Sequence, residues 1–258
     1  MAGGNAVQTL AGAGTEAVVT AVPTQPPLSD ELRVAPLPWV RRLLGRASRL
    51  GHRLTGRDRY DDFQIETVRG ARFIVMPSVF NPRTPRTGAF LVSQIDPGPV
   101  QSHWEILDLG TGSGVGAVIG ARHARRVLAV DINPAAVRCA RINALLNRLE
   151  HRIEVRQGDL FESAGNERFD LVLFNPPFLR AQPLSDRDRA WSSVDVAERF
   201  AAGLGDHLHA NGMALIVLST FGNGVLFLRE LRRQGFAHSA LAERRFVNER
   251  LTVFKVSR

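Results

Sequence analysis

The sequence predicts an α/β fold in which helices cover both faces of a mostly parallel sheet. From Trp104 onward, apolar segments of strand length alternate with helical segments, and this alternation is typical of a parallel sheet. The predicted helices cover residues 113–122, 134–147, about 194–210 and 223–234. The predicted strands are WEILDLG, RVLAVDI, IEVRQG, FDLVLFN and GMALIVLST.

The last segment, AHSALAERRFVNERLTVFKV, has two strand-like runs with no helix between them. We therefore expect an antiparallel hairpin at one edge of the sheet. A second hairpin is predicted upstream, where two β-rich runs flank Arg69-Gly70. After it, PRTGAFLVSQI is expected to start a helix that leads into the main domain.

The chain divides into three predicted regions. Residues 1–30 are rich in Gly, Ala, Thr and Pro, which predicts a disordered tail. Residues 31–100 are expected to form an N-terminal substrate or lid region, with a short basic helical segment, VRRLLGRASRLGHRL, and the hairpin. Residues 101–258 form the main domain, which is long enough for a large hydrophobic core.

The composition restricts the protein's class and compartment. The formal net charge is +8 and Lys255 is the only lysine, so arginine, which does not deprotonate, dominates the basic residues. This charge permits but does not require a nucleic-acid partner. Cys139 is the only cysteine and is expected to be a small packed helical residue; no disulfide can form within the chain. The single cysteine fits a reducing cytoplasm, where we expect the protein to reside, and the lack of a basic segment before Arg33 argues against a signal peptide. The absence of long apolar runs predicts no membrane span, and no metal is expected.

A glycine-rich loop, ILDLGTGSGVGA, follows the first strand of the main domain. Gly110, Gly112 and Gly114 allow a tight turn and a close approach to a ligand, while the following helix offers free amides to an anion. The next strand ends in Asp131, whose carboxylate suits two ribose hydroxyls. These features fit a nucleotide-derived cofactor, although the glycines would also shape a turn that binds nothing.

The loop is compatible with more than one cofactor. Gly112, Gly114 and Ala117 fit the fingerprint of dinucleotide-binding oxidoreductases. Asp108, inside the end of the strand, suits an amine better than a pyrophosphate. A further strand ends in Asn175-Pro176-Pro177-Phe178, and a nicotinamide-dependent oxidoreductase has no evident use for this motif.

DLGTGSG, AVDINP, GDLF and NPPF, in this order, resemble the class I S-adenosylmethionine-dependent methyltransferases. The resemblance is to the amino-methylating branch with N-P-P-[YF], which includes release-factor glutamine N5-methyltransferases and related RNA base N-methyltransferases. It covers about residues 73–258. It implies a Rossmann-like sheet of seven strands in the order 3-2-1-4-5-7-6, with strand 7 antiparallel, and it makes residues 101–258 the cofactor-binding catalytic domain.

The resemblance also implies roles for individual residues. Gly110 and Gly112 would contact the methionine part of S-adenosylmethionine, Asp108 its amine, and Asp131 its ribose. Ile132, Asp159 and Leu160 would lie beside the adenine. The full predicted cofactor set is Asp108, Gly110, Thr111, Gly112, Gly114, Asp131, Ile132, Asp159, Leu160 and Asn175.

The NPPF motif is interpreted as the catalytic element. A planar NH₂ group is a poor nucleophile, so two acceptors that hold its hydrogens would orient the lone pair and stabilise the charge that develops on nitrogen. The side-chain carbonyl of Asn175 and the backbone carbonyl of Pro176 are the predicted acceptors. Pro177 would fix the local chain, and Phe178 would stack on the acceptor.

The acceptor itself stays open between a protein glutamine, an RNA base and a small molecule, as does the oligomeric state. Release-factor enzymes usually have Tyr where this chain has Phe178, and their N-terminal region is longer. FNPRTPRTGAF only partly matches their Pro-Arg-Pro-Glu-Thr-like stretch. Arg86, Thr87 and Trp191 are the candidate substrate-contacting residues, with structural roles as the alternative.

Overall fold

The computed structural model describes residues 62–82, 87–177, 194–220, 222–246 and 249–258. Within these ranges the strands are β1 Gln64–Val68, β2 Ala71–Val75, β3 Glu105–Leu109, β4 Arg126–Asp131, β5 Ile153–Gln157, β6 Phe169–Phe174, β7 Leu208–Ser219, β8 Ala237–Arg245 and β9 Arg250–Ser257. The helices are α1 Thr87–Val92, α2 Val115–Ala121, α3 Pro134–Leu146, α4 Val196–Leu204 and α5 Gly224–Arg233, with a 3₁₀ turn at Glu162–Ala164.

Seven strands form one sheet in the order β5-β4-β3-β6-β7-β9-β8. Counted from β3, this is the predicted order 3-2-1-4-5-7-6. The β3–β4, β3–β6, β4–β5 and β6–β7 pairs are parallel, whereas β9 is antiparallel to both of its neighbours. The predicted fold class and the C-terminal hairpin are therefore confirmed.

The sheet is buried on both faces because its central strands are apolar at nearly every position. Successive side chains of a strand point to opposite faces, so Ile106 packs with α2 and α3 on one face, and Leu107 packs with α4 and α5 on the other. Phe200 of α4 and Phe227 of α5 belong to that second layer, and both are buried.

The β1–β2 hairpin forms at the predicted position. Arg69 and Gly70, with φ of 50° and 75°, make the turn, as expected for a two-residue hairpin loop. The hairpin is fixed to α3 by the buried Asn143, whose side chain accepts from the Ile74 amide and donates to the Ile74 carbonyl, both at 2.8 Å. Cys139, also on α3, is buried and donates to the same carbonyl.

One predicted boundary is wrong. The helix expected over about 194–210 ends at Leu204, and β7 begins at Leu208, earlier than predicted. Gly205 follows the helix, and the imidazole of His207 is hydrogen-bonded to the Gly203 carbonyl at 2.9 Å. The His207 carbonyl already pairs with the Phe169 amide of β6. These tertiary contacts override a helical spacing of apolar residues that continues through Leu208.

The predicted tail at 1–30 and the basic helical segment lie outside the described residues. The longest helix among the described ranges has 13 residues, and none is long and apolar enough to cross a membrane. Within the same ranges, no group of three or more His, Cys, Asp or Glu side chains is placed to hold a metal ion.

Candidate active site

A cavity opens at the carboxyl ends of β3, β4, β5 and β6, where the loops after these strands meet the segment between β2 and α1. Ligands of open parallel sheets bind at this edge, because the loops diverge there. The described residues that line the cavity include Asp108, Gly110, Thr111, Gly112, Asp131, Ile132, Asp159, Leu160, Asn175, Pro176 and Pro177. All of these were predicted as site residues, so the structure brings them together around one space.

The glycine loop uses its glycines in two ways. Gly110 and Gly112 have φ of 62° and 55°, and a Cβ at either position would project into space with no atom closer than 3.8 Å. Their backbone thus leaves room along the cavity wall. Gly114, with φ of 82°, instead packs on α3, since a Cβ there would lie 3.0 Å from the Cα of Ala140. Gly114 therefore allows the loop to pack closely against α3.

Asp108 is a buried carboxylate at the base of the loop. Its Oδ2 accepts from the Thr111 hydroxyl at 2.6 Å and from the Ala117 amide at 2.8 Å. Burial raises its pKa to about 7, against the lowering effect of these hydrogen bonds. Gly116 is required beside it, because a Cβ there would lie 2.6 Å from the Asp108 carboxyl carbon. The site thus contains an acid whose charge is poorly solvated and would be stabilised by a bound cation.

Asp131 joins the loops that follow β3 and β4. Its Oδ2 accepts from the Gly112 amide at 2.8 Å, and its Oδ1 accepts from the Asn133 amide at 2.9 Å. Burial raises the pKa of Asp131 as well. Each carboxylate oxygen has a second lone pair, so the group keeps acceptor capacity for hydroxyls in the cavity.

The loop after β5 forms the next part of the wall. Leu160 has a positive φ of 50°, and the Asp159 side chain forms a salt bridge with Arg199 of α4 at 2.8 Å. The Asp159 side chain does not cap the following 3₁₀ turn; instead its backbone carbonyl accepts from the Glu162 amide. Sequence reasoning missed Arg199, because no local pattern distinguishes it from the other arginines.

Asn175 occupies the end of β6, facing Thr87 at the start of α1. Its Nδ2 donates to the Thr87 Oγ1 at 3.2 Å, and Thr87 is itself buried. Its Oδ1 is buried and has no hydrogen-bond partner among the described residues. Such an atom is unusual, since buried polar atoms almost always find a partner. Asn175 lines the cavity and therefore brings to the site a carbonyl oxygen with unused acceptor capacity.

The remaining predicted residues divide between described and undescribed parts of the chain. Phe178, Arg86 and Trp191 lie outside the described residues. Thr87 contacts the site through its hydrogen bond with Asn175. Phe80 and Pro82, which were not predicted as site residues, also line the cavity from the segment that follows the hairpin.

Comparison with known proteins relates this chain to methyltransferases. The family model described as "Methyltransferase small domain" matches residues 70–239. A release factor glutamine methyltransferase from Koribacter versatilis is 32% identical over 163 residues, which cover 57% of this chain and 57% of that protein. A tRNA1(Val) (adenine(37)-N6)-methyltransferase from Porphyromonas gingivalis is 40% identical over 82 residues, or 29% of this chain and 32% of that protein.

Among solved structures, the Thermus thermophilus 16S rRNA N2 G1207 methyltransferase, in complex with AdoMet and guanosine, has a TM-score of 0.59 and 23% identity. The alignment covers 76% of this chain and 50% of that one. At this identity, the likeness supports the fold alone. The chain spans little more than half the length of the Koribacter relative and about a third of the Porphyromonas relative.

Proposed function

Because the chain belongs to the methyltransferase small domain family, we propose that it is an S-adenosylmethionine-dependent N-methyltransferase whose acceptor is a planar NH₂ group, the side-chain amide of a protein glutamine. The observation that carries the proposal is that Asn175 lines the cavity and that its Oδ1 is buried with no hydrogen-bond partner among the described residues. A carbonyl at this position has an evident use in holding an N–H of the acceptor.

The residues around the cavity fit the proposed cofactor. The open backbone at Gly110 and Gly112 leaves the space that a ligand needs, and side chains there would fill it. The buried carboxylate of Asp108 suits a cationic amino acid group, and the Asp131 carboxylate suits ribose hydroxyls. When bound, S-adenosylmethionine supplies an electrophilic methyl group on a sulfonium.

The chain's own contribution to the reaction is orientation of the acceptor nitrogen. An amide nitrogen delocalises its lone pair into the carbonyl, and two acceptors that hold its hydrogens favour the geometry in which the lone pair faces the methyl group. Asn175 Oδ1 is one acceptor, and the backbone carbonyl of Pro176, a neighbouring residue of the cavity wall, is the other. The nitrogen becomes acidic once it is methylated, so its proton passes to water and no strong base is needed.

The choice of a glutamine rests on the relatives. Relatives named as glutamine methyltransferases include the one from Koribacter versatilis and one from Cereibacter sphaeroides, which is 32% identical over 162 residues. The second candidate is the exocyclic amine of an RNA base, because it offers the same planar NH₂ group. This candidate is supported by the 40% identity to the tRNA adenine enzyme over 82 residues.

The test is methyl transfer from radiolabelled S-adenosylmethionine into an extract that is then separated into protein, RNA and small molecules. We expect label in a protein, at a glutamine identified by mass spectrometry. Label confined to RNA would establish the second candidate. Label confined to small molecules would refute both acceptors, and a failure to bind S-adenosylmethionine would refute the activity.

A further inference from the structure

Arg199 and Asp159 form an ion pair in the wall of the cavity. Arg199 Nη1 lies 2.8 Å from Asp159 Oδ2, and both residues line the cavity. The side chains are 39% and 34% exposed, so the pair is partly shielded from water. Glu162 flanks the same guanidinium at 3.6 Å. Arg199 is therefore held between two acids in the cavity wall.

The order of the strands indicates which part of a nucleoside this pair would meet. The loops of β3, β4 and β5 lie side by side, since these strands are neighbours in the sheet. Asp131, the proposed ribose-binding residue, ends β4, and Asp159 follows β5. Adjacent strands are about 4.8 Å apart. A base attached to a ribose at Asp131 would therefore extend toward the loop that carries Asp159.

We propose that Arg199 is a positioning residue that holds the Asp159 carboxylate in the orientation in which it accepts a hydrogen bond from the 6-amino group of adenine. The inference rests on the proposed function, because it assumes that the cavity binds S-adenosylmethionine. Arg199 acts through Asp159, and it affects recognition of the adenine base of the cofactor and not recognition of the methyl acceptor.

The physical argument starts from the freedom of a partly exposed carboxylate. Without a partner, the Asp159 side chain would rotate among staggered conformations and exchange hydrogen bonds with water. The hydrogen bond from Arg199 to Oδ2 fixes the group while leaving acceptor capacity on the carboxylate. An ionised acceptor forms a stronger hydrogen bond than a neutral one, and a ligand that lacks the donor leaves the carboxylate unsatisfied.

The test compares the affinity of the whole protein for S-adenosylhomocysteine and for its analogue with hydrogen in place of the 6-amino group. Calorimetry would give both dissociation constants and their ratio. For the unaltered protein, we expect the analogue to bind about tenfold more weakly, as for loss of a hydrogen bond to a charged group. In Arg199→Gln the ratio should fall to within about threefold, whereas Arg199→Lys, which keeps the charge, should retain more of the selectivity.

Arg156→Gln is the matched control. Arg156 lies on β5 and, like Arg199, pairs with two acids, Glu154 at 2.6 Å and Glu167 at 2.7 Å, but it does not belong to the cavity lining described above. For Arg156→Gln, the ratio of the two dissociation constants should equal that of the unaltered protein. In Asp159→Ala the ratio should be close to one, and adding Arg199→Gln should not change it further.

The proposal fails if Arg199→Gln weakens both ligands equally and leaves the ratio unchanged, because the pair would then only fasten α4 to the β5 loop. It also fails if the unaltered protein binds both ligands equally well, although the proposed methyltransferase function would survive that result. If the unaltered protein binds neither ligand, the proposed function fails and the inference fails with it.

Discussion

Asn175 and Thr87 meet in a hydrogen bond of 3.2 Å between Nδ2 and Oγ1, across 88 residues of sequence. The contact joins the end of β6 to the first residue of α1. It directs the amide group of Asn175 toward Thr87 and leaves Oδ1 buried without a partner among the described residues. An unsatisfied buried polar atom costs about 1–3 kcal/mol of free energy of unfolding. A methyl acceptor that donates an N–H to this atom would recover that cost.

Thr87→Val tests whether this contact orients Asn175. The substitution preserves the shape of a buried side chain but removes its hydroxyl, so the Asn175 amide loses its anchor. We expect the turnover number to fall by about tenfold, because misorientation of a reacting group is costly. The dissociation constant for S-adenosylmethionine should stay within about twofold, because the hydrogen bond between Thr87 and Asn175 contributes little to cofactor binding. Thr87→Ser, which keeps the hydroxyl, is the control; equal losses in both variants would contradict the orienting role.

The raised pKa of Asp108 predicts that the stability of the folded protein depends on pH. Its pKa in the folded protein is about 7, above the ordinary value of 3.8, so the folded protein binds the proton more tightly than the unfolded chain does. Its contribution to stability is therefore present at low pH and is lost as the pH rises through the folded pKa. Between pH 5.5 and pH 8, we expect Asp108 to lower the free energy of unfolding by about 2 kcal/mol.

Denaturant unfolding of the ligand-free protein and of Asp108→Asn at both pH values measures this contribution. The Asn variant keeps an oxygen that can accept from Thr111 and Ala117 but cannot ionise. Subtracting its pH dependence removes the effects of groups that titrate independently of Asp108, while the coupling to Asp131, whose charge raises the pKa of Asp108, stays in the difference. A difference of zero between the two proteins would show that Asp108 titrates at the same pH in the folded and unfolded states.

Gly116→Ala tests the close packing of α2 on Asp108. The added methyl group would lie 2.6 Å from the Asp108 carboxyl carbon, which is nearer than two carbon atoms can approach. We expect a loss of about 1–3 kcal/mol in the free energy of unfolding, as for other overpacked sites. In an Asp108→Ala background the clash disappears, and the higher helix propensity of alanine should make the same substitution neutral or stabilising. Equal costs in both backgrounds would contradict this account.

The strands could be predicted because their apolar segments have clear limits, whereas their order in the sheet was implied by the family resemblance. Segments such as FDLVLF, bounded by polar and turn residues, give strands whose identity depends little on tertiary contacts. The end of α4 could not be predicted, because Leu204 and Leu208 fit one helical face. It depends on contacts of His207 with the Gly203 carbonyl and the β6 backbone, which are distant in sequence or made through a side chain.

The candidate site, like the fold, could be predicted only in part. Asp131 ends a strand and Gly110 and Asn175 directly follow one. Since the carboxyl ends of parallel strands meet at one edge, the convergence of these residues could be predicted. Their hydrogen-bond partners could not. Thr87 was singled out, but its contact with Asn175 spans 88 residues. Arg199 was missed because its role depends on where α4 places it relative to the β5 loop, and an arginine in the first turns of a helix is unremarkable.

Asn175→Ala provides the most direct test of the central claim, that Asn175, although also predicted as a cofactor residue, acts mainly by holding the methyl acceptor. The measurement is single-turnover transfer of labelled methyl to the acceptor fraction, together with calorimetric affinity for S-adenosylmethionine. We expect the transfer rate to fall by about 100-fold or more, as when a preorganised transition-state contact is removed, and cofactor affinity to stay within about threefold of the unaltered protein. An unchanged transfer rate, or an equal fall in rate and affinity, would contradict the account.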